Sequence, residues 1–200
     1  MSVPKPLSLA RIFLERVIRP GDRVVDATLG NGHDALYLAQ AVGPQGRVTG
    51  FDIQEQALAT TRARLAEANM SDRCDLHLRC HSELGKLINE GQRAIVFNLG
   101  YLPGADKACI TRTKSTLEAL DQASRLLLPG GLLSVMCYPG HDGGDEESEA
   151  VSVFLGALPR EMFRVHRYEM TNGLNRPPFL LVADKVRQAH SPKASAAQAS

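Results

Sequence analysis

Five apolar runs alternate with five segments of helical period along most of this chain. RVVDAT (23–28), GRVTGF (46–51), CDLHLRC (74–80), RAIVFN (93–98) and LLSVMCY (132–138) read as strands. Residues 33–42, 54–69, 82–89, 112–128 and 145–158 read as the helices that follow them. Parallel neighbours need a long crossover, and a helix in each crossover covers a face of the sheet. The alternation therefore predicts a mostly parallel, doubly wound sheet. The nearly unbroken apolar run AIVF in 93–98 fits a strand buried on both faces. Ahead of this pattern, Leu9, Ile12, Phe13, Leu14 and Val17 line one face of a helix that ends near Pro20-Gly21. Pro129-Gly130-Gly131 is expected to stop the helix over 112–128. The acidic first turn of 145–158 suits the positive end of a helix dipole. FRVHRYEM (163–170) and FLLVADKV (179–186) then close the chain as two strands with NRPP, and no helix, between them. Seven strands result, with an antiparallel closing strand.

The 200 residues suit one domain, expected over 1–186, with residues 187–200 a disordered tail rich in Ala, Ser and Gln. The composition, 44% hydrophobic and 22% charged, is that of an ordinary globular protein. A formal net charge of +1 supplies no overall field to recruit a polyanion. Nucleic acid would have to be held by local groups such as Lys5, Arg11, Arg112, Lys114, Arg164 and Arg176. The four cysteines, Cys74, Cys80, Cys109 and Cys137, form no CxxC pair. They read as reduced thiols of a cytoplasmic protein, with no metal site. No apolar run is long enough to cross a membrane, and the N-terminus lacks the apolar block of a secretory signal.

DATLGNGHDA (26–35) lies between the first strand and its helix. Glycines there let backbone come close to a ligand, and the helix start offers amide donors. Gly30, Gly32 and Ala35 fit the dinucleotide fingerprint, and Asp52 ends the second strand about 20 residues on, where a carboxylate can hold ribose hydroxyls. NAD and S-adenosylmethionine both carry a ribose, so these features alone leave the two open. His33 and Asp34 read as polar groups of the helix start. In methyltransferases an acidic residue at the place of Asp26 commonly organises the turn and the amino-acid end of the cofactor.

The end of the fourth strand separates the alternatives. FNLGYLPG (97–104) puts Asn98 at a carboxyl strand end, the edge where ligands sit in parallel sheets, with Tyr101 and Pro103 after it. The segment resembles the (Asp/Asn)-Pro-Pro-(Tyr/Phe) motif of amino-group methyltransferases, with Leu-Gly in place of Pro-Pro. A methyl on a sulfonium is attacked in line by a lone pair, so the enzyme must orient that lone pair. An Asn carbonyl can accept the amine's hydrogens, and an aromatic ring can pack beside it. An alkyl ammonium has no lone pair and a pKa near ~10, so a proton must leave first. Read blandly, Asn98 is a turn residue after a strand. CYPGHDGGDEE (137–147) places Tyr138 and His141 on the same edge, and His141 suits a proton acceptor. Its Pro and Gly residues also suit a plain loop. Asp106 can pair with an ammonium or with Lys107, while His81 and Ser82 follow the third strand at the adenine end.

DATLGNGHDALYLA, GFDIQEQAL, FNLGYLPGADK, TRTKSTLEAL and YPGHDGGDEE together resemble the rRNA-methylase family typified by the bacterial YtqB-type proteins, from roughly Leu7 to Lys185. The resemblance implies a Rossmann-like class I methyltransferase that uses S-adenosyl-L-methionine and is often a homodimer. It implies the anticodon region of tRNA as partner, with methylation of the amine of wobble 5-aminomethyl-(2-thio)uridine. It places Asp26, Gly30, Asn31, Gly32, Asp52, Gln54, His81 and Ser82 at the cofactor. Asn98, Tyr101, Asp106, Tyr138 and His141 would face the substrate. The tRNA substrate rests on the resemblance alone. Methylation of rRNA or of a small-molecule amine is the alternative, and a dehydrogenase would lack a substrate domain.

Overall fold

The computed structural model describes residues 3–100, 110–140, 142–174 and 176–186. Strands β1 (Arg23–Asp26), β2 (Arg47–Asp52), β3 (Cys74–Leu78), β4 (Gln92–Asn98), β5 (Leu127–Cys137), β6 (Phe163–Tyr168) and β7 (Phe179–Lys185) form one sheet in the order β3-β2-β1-β4-β5-β7-β6. Helices α1 (Pro6–Val17), α2 (His33–Val42), α3 (Glu55–Glu67), α4 (Leu84–Leu87), α5 (Thr113–Leu126) and α6 (Gly144–Gly156) surround it. β1 to β5 run parallel, and β7 is antiparallel to both β5 and β6. β7 is thus the one reversed strand, inserted between β5 and β6.

The alternation of side chains along each strand divides the core between two layers. In β4, Ala94 and Val96 join Ala10 and Leu14 of α1 and Leu38 and Val42 of α2. Ile95 and Phe97 point the other way, into Leu84 of α4, Ala119 and Leu120 of α5 and Val151 of α6. Both sets are buried, which is why AIVF is apolar at every position. Each of the Val, Leu, Ile and Phe side chains contributes about 1.5–3 kcal/mol relative to leaving it exposed.

The expectation for Pro129-Gly130-Gly131 needs correction. α5 already ends at Leu126, and the three residues lie inside β5. Gln92 pairs with Leu127 but Ala94 with Leu132, so β5 carries extra residues in a bulge. Gly130 has φ +76°, and a Cβ on Gly131 would sit 2.8 Å from the carbonyl oxygens of Arg93 and Leu128. The glycines therefore form an irregular strand start instead of a helix stop. Of the cysteines described, Cys137 is buried and Cys74 and Cys80 are half-buried, all three free thiols. Burial pushes Cys137 up to about 12 and Cys74 up to about 11, so both stay protonated. Among the described residues no cluster of His, Cys, Asp and Glu could hold a metal, and no helix is long and apolar enough to cross a membrane.

Candidate active site

β1 and β4 are neighbours whose onward crossovers leave in opposite directions, so a crevice opens at their carboxyl ends. Asp26 lies beside Val96 in the register, which brings the end of β1 next to Asn98. The Asn98 backbone N–H donates to Thr28 Oγ1 at 2.7 Å, and Ala27 N–H donates to the Val96 carbonyl at 2.9 Å. The two strand ends are thereby stitched together just before the chain leaves the sheet.

The glycine turn is held from behind. Gly30 N–H donates to Asp52 Oδ2 at 3.0 Å, and Gln54 N–H donates to Asp52 Oδ1 at 3.0 Å. Arg64 Nε of α3 donates to the Asn31 carbonyl at 2.8 Å. Gly30 and Gly32 have φ of +52° and +74°. A Cβ on Gly32 would lie 2.7 Å from Thr61 Oγ1 and 2.9 Å from Thr61 Cα. The close approach to α3 thus requires glycine at position 32. Each Asp52 oxygen takes one backbone N–H and keeps a second lone pair for a hydroxyl.

Asp26 is completely buried beneath this turn. Its Oδ1 accepts from Thr28 N–H at 3.2 Å, while its Oδ2 makes no well-formed hydrogen bond among the described residues, although the Ala35 backbone also acts on the carboxyl. Burial first, then the charge of Asp34, raises its carboxyl well above the ordinary range. His81 is also buried, edge-on to Phe97 at 5.7 Å, and its Nε2 has no partner. Burial lowers its pKa against a hydrogen bond with the Ala27 backbone, so the ring is neutral at pH 7. Ser82 is partly exposed and accepts from Gln122 Nε2 through its carbonyl at 2.7 Å.

Beside Asn98 lies a residue read only as a helix-start group. Asn98 Nδ2 donates to Asp34 Oδ2 at 2.8 Å. Asp34 stands in the first turn of α2, where a carboxylate complements the dipole, and Arg11 of α1 approaches it at 3.6 Å. The Arg11 guanidinium in turn lies over the Tyr37 ring at 5.2 Å. Tyr138 packs at the end of β5, and burial followed by the Asp34 charge raises its phenol. The structure thus gathers Asp26, Gly30, Asn31, Gly32, Asp52, Gln54, His81, Ser82, Asn98 and Tyr138 along one edge of the sheet. Tyr101, Asp106 and His141 lie outside the described residues. Asp34, Thr28 and Arg64 escaped the sequence reading because their partners are 64, 70 and 33 residues away. Ile53, 56% exposed between Asp52 and Gln54, was also missed, although an apolar residue just past a strand end is a signal. A cleft of about 430 Å³ at the opposite edge of the sheet is lined by Arg23, Arg47, Asp72 and Asp75, and none of the site residues reaches it.

A seven-stranded sheet with one reversed strand, bearing a glycine turn and an acidic residue at adjacent carboxyl ends, defines a Rossmann-like class I methyltransferase. The sequence pattern of the family described as "Putative rRNA methylase" matches residues 48–184, and the chain belongs to that family. A "tRNA (mnm(5)s(2)U34)-methyltransferase, chloroplastic" of Arabidopsis thaliana is 41% identical over 183 residues, 86% of this chain and 66% of that protein. The chain thus spans about two thirds of that relative. A "putative rRNA-methylase" from Clostridium thermocellum superposes with a TM-score of 0.91 at 40% identity, over 93% of this chain and 100% of that one. A Streptococcus mutans structure in complex with SAH superposes with a TM-score of 0.85 at 37% identity, over 92% of this chain and 100% of that one. The family is S-adenosylmethionine-dependent, and the cofactor is S-adenosylmethionine.

The residues present fit that cofactor. Asp52 keeps lone pairs for ribose hydroxyls, Ile53 offers an apolar wall, and Asp26 Oδ2 makes no well-formed hydrogen bond among the described residues beneath the turn.

Proposed function

We propose that this protein methylates the aminomethyl nitrogen of wobble 5-aminomethyl-(2-thio)uridine in tRNA, giving the 5-methylaminomethyl form. The observation that carries the reading is the orientation of Asn98. A carboxylate can only accept, so the carboxamide must turn its NH₂ to Asp34. That leaves the Asn98 carbonyl on the other side of the amide, at the carboxyl end of β4, without a hydrogen bond among the described residues and able to accept from an amine. S-adenosylmethionine supplies an electrophilic methyl. The protein's work is to bind the neutral amine, hold its lone pair in line and keep water out. Tyr101 shapes the amine pocket, and His141, or Asp106 through water, takes the amine's proton. These three join the proposal on their sequence positions. The name of the Arabidopsis relative supports wobble uridine as the target. A homodimer would place two basic surfaces against one anticodon stem.

The test compares tRNA carrying the aminomethyl precursor with tRNA lacking it, reading nucleosides by mass. One methyl on nitrogen, only with the precursor, is the expected result. Equal methylation of both would show a ring or ribose target and overturn the amine reading. Asn98→Ala should lower the transfer rate by about 10²-fold while leaving cofactor affinity nearly unchanged.

A further inference from the structure

We propose that Asp34 is a positioning residue for the methyl acceptor, fixing the Asn98 amide and setting a permanent negative charge behind the nitrogen that becomes cationic. The inference rests on the amine reading above and extends it to a residue outside the predicted set. Its basis is geometric. Asp34 Oδ2 takes the Asn98 Nδ2 hydrogen at 2.8 Å, so Asn98 has one productive orientation, not two. The Asp34 side chain is only 22% exposed, which limits screening of its charge by water. Its surroundings keep it in place. Arg11 faces it from α1, Tyr37 from its own helix, Tyr138 from the end of β5 and Asp26 from β1. Arg11 is the one cation of the set, at 3.6 Å and half-exposed, and so offsets the charge incompletely.

The chemistry explains why a carboxylate belongs there. The amine lone pair forms the new N–C bond while the C–S electron pair stays with sulfur, leaving a neutral thioether. Positive charge therefore passes from sulfur to nitrogen, the substrate ammonium having already given up its proton before the attack. A fixed negative charge on the nitrogen side favours that transfer, and it is already in position before reaction. The same charge also stabilises the substrate ammonium, which ties Asp34 to the pH dependence.

The experiment uses the full chain, tRNA bearing the aminomethyl group and S-adenosylmethionine. Single-turnover transfer at saturating enzyme is followed from about pH 6 to about pH 10, across the amine's titration. Asp34→Asn keeps an acceptor for Asn98 but removes the charge. Its maximal rate should fall by about 10-fold or more, and its pH–rate midpoint should move down by about one unit. Arg11→Gln removes the opposing cation and should move the midpoint the other way. Cofactor affinity is measured by calorimetry for each variant and the cofactor is kept saturating, because the Asp34 charge also acts on Asp26 at the cofactor end. Wild-type rates and an unmoved midpoint in both variants would overturn the inference. A rate loss with an unmoved midpoint would also overturn it, leaving Asp34 a purely structural residue. If Asp34→Asn does not fold, the Arg11→Gln shift decides alone. Wild-type protein that ignores the aminomethyl group overturns the amine reading, and this inference with it, before any variant is compared.

Discussion

Asp26 carries a pH-dependent stability that its burial dictates. Its folded pKa lies above the unfolded value of about 3.9, so between the two the folded state holds more proton. The stabilising effect is fully present below the unfolded value and is lost as pH rises through the folded one. His81 acts with the opposite sign. Its folded pKa is lowered, so its contribution is present above about 6.5 and fades as pH falls. Comparing wild type with Asp26→Asn removes the His81 contribution, which both share. Without cofactor, Asp26→Asn should gain stability relative to wild type as pH is raised from about 5 to about 8. Thermal unfolding at several pH values measures this, and a difference that does not vary with pH would show that Asp26 is an ordinary carboxyl. At Asp52, where both oxygens already hold the turn, Asp52→Ala should weaken cofactor binding by about 1–3 kcal/mol.

Among the elements, α6 is tied to the site by one buried acid. Glu147 is 2% exposed and accepts the hydroxyls of Thr111 and Thr116, each at 2.6 Å. Thr111 then clasps Gly100, accepting its N–H at 2.8 Å and donating its own N–H to the Gly100 carbonyl at 2.9 Å. The start of α6, the start of α5 and the exit of β4 therefore meet at a single side chain. Glu147→Ala would leave two hydroxyls without acceptors and should cost about 2–4 kcal/mol in chemical denaturation. Glu147→Gln, which keeps one acceptor oxygen, should cost less. Equal losses would mean that both carboxylate oxygens are needed, since Gln keeps the packing that Ala removes. This role was hidden in DEESEA, where an acidic run reads as a solvated first turn. Asp145, Glu146 and Glu149 are indeed exposed, and only folding onto α5 selects Glu147 for the interior.

Over the whole molecule, the basic residues divide by position. Arg164 pairs in register with Asp184, itself opposite Leu132, which precedes Met136, the β5 partner of Asn98, in the strand, so Arg164 lies away from the carboxyl strand ends. Arg176 is engaged with Asp145. Arg112 and Lys114 are exposed and adjoin the Thr111–Gly100 clasp. On the proposed function, replacing both with Gln should weaken tRNA binding and reduce the slope of log affinity against log salt by about 2. Arg164→Gln should change neither. A uniform effect of all three residues would favour diffuse attraction over a localised RNA surface, although the net charge of +1 gives such attraction little basis.

Local signals were enough to order the strands and helices, predict seven strands and mark the turn 26–35, because apolar periodicity and glycine are properties of neighbouring residues. Asn98 was legible for the same reason, since an amide at the end of an apolar strand stands out without its partners. The Pro129-Gly130-Gly131 segment misled because a helix stop and a strand bulge share their residue types, and pairing with β4 decides between them. Tertiary structure alone determined that Gly32 is required by Thr61 and that Asp52 braces the turn. It alone placed Glu147 inside and set Asp34 against Asn98. Each of these is a contact across 22 or more residues of chain, made by polar groups whose types are equally at home on a surface. Periodicity carries no record of which polar side chain the folded sheet will bring to face another.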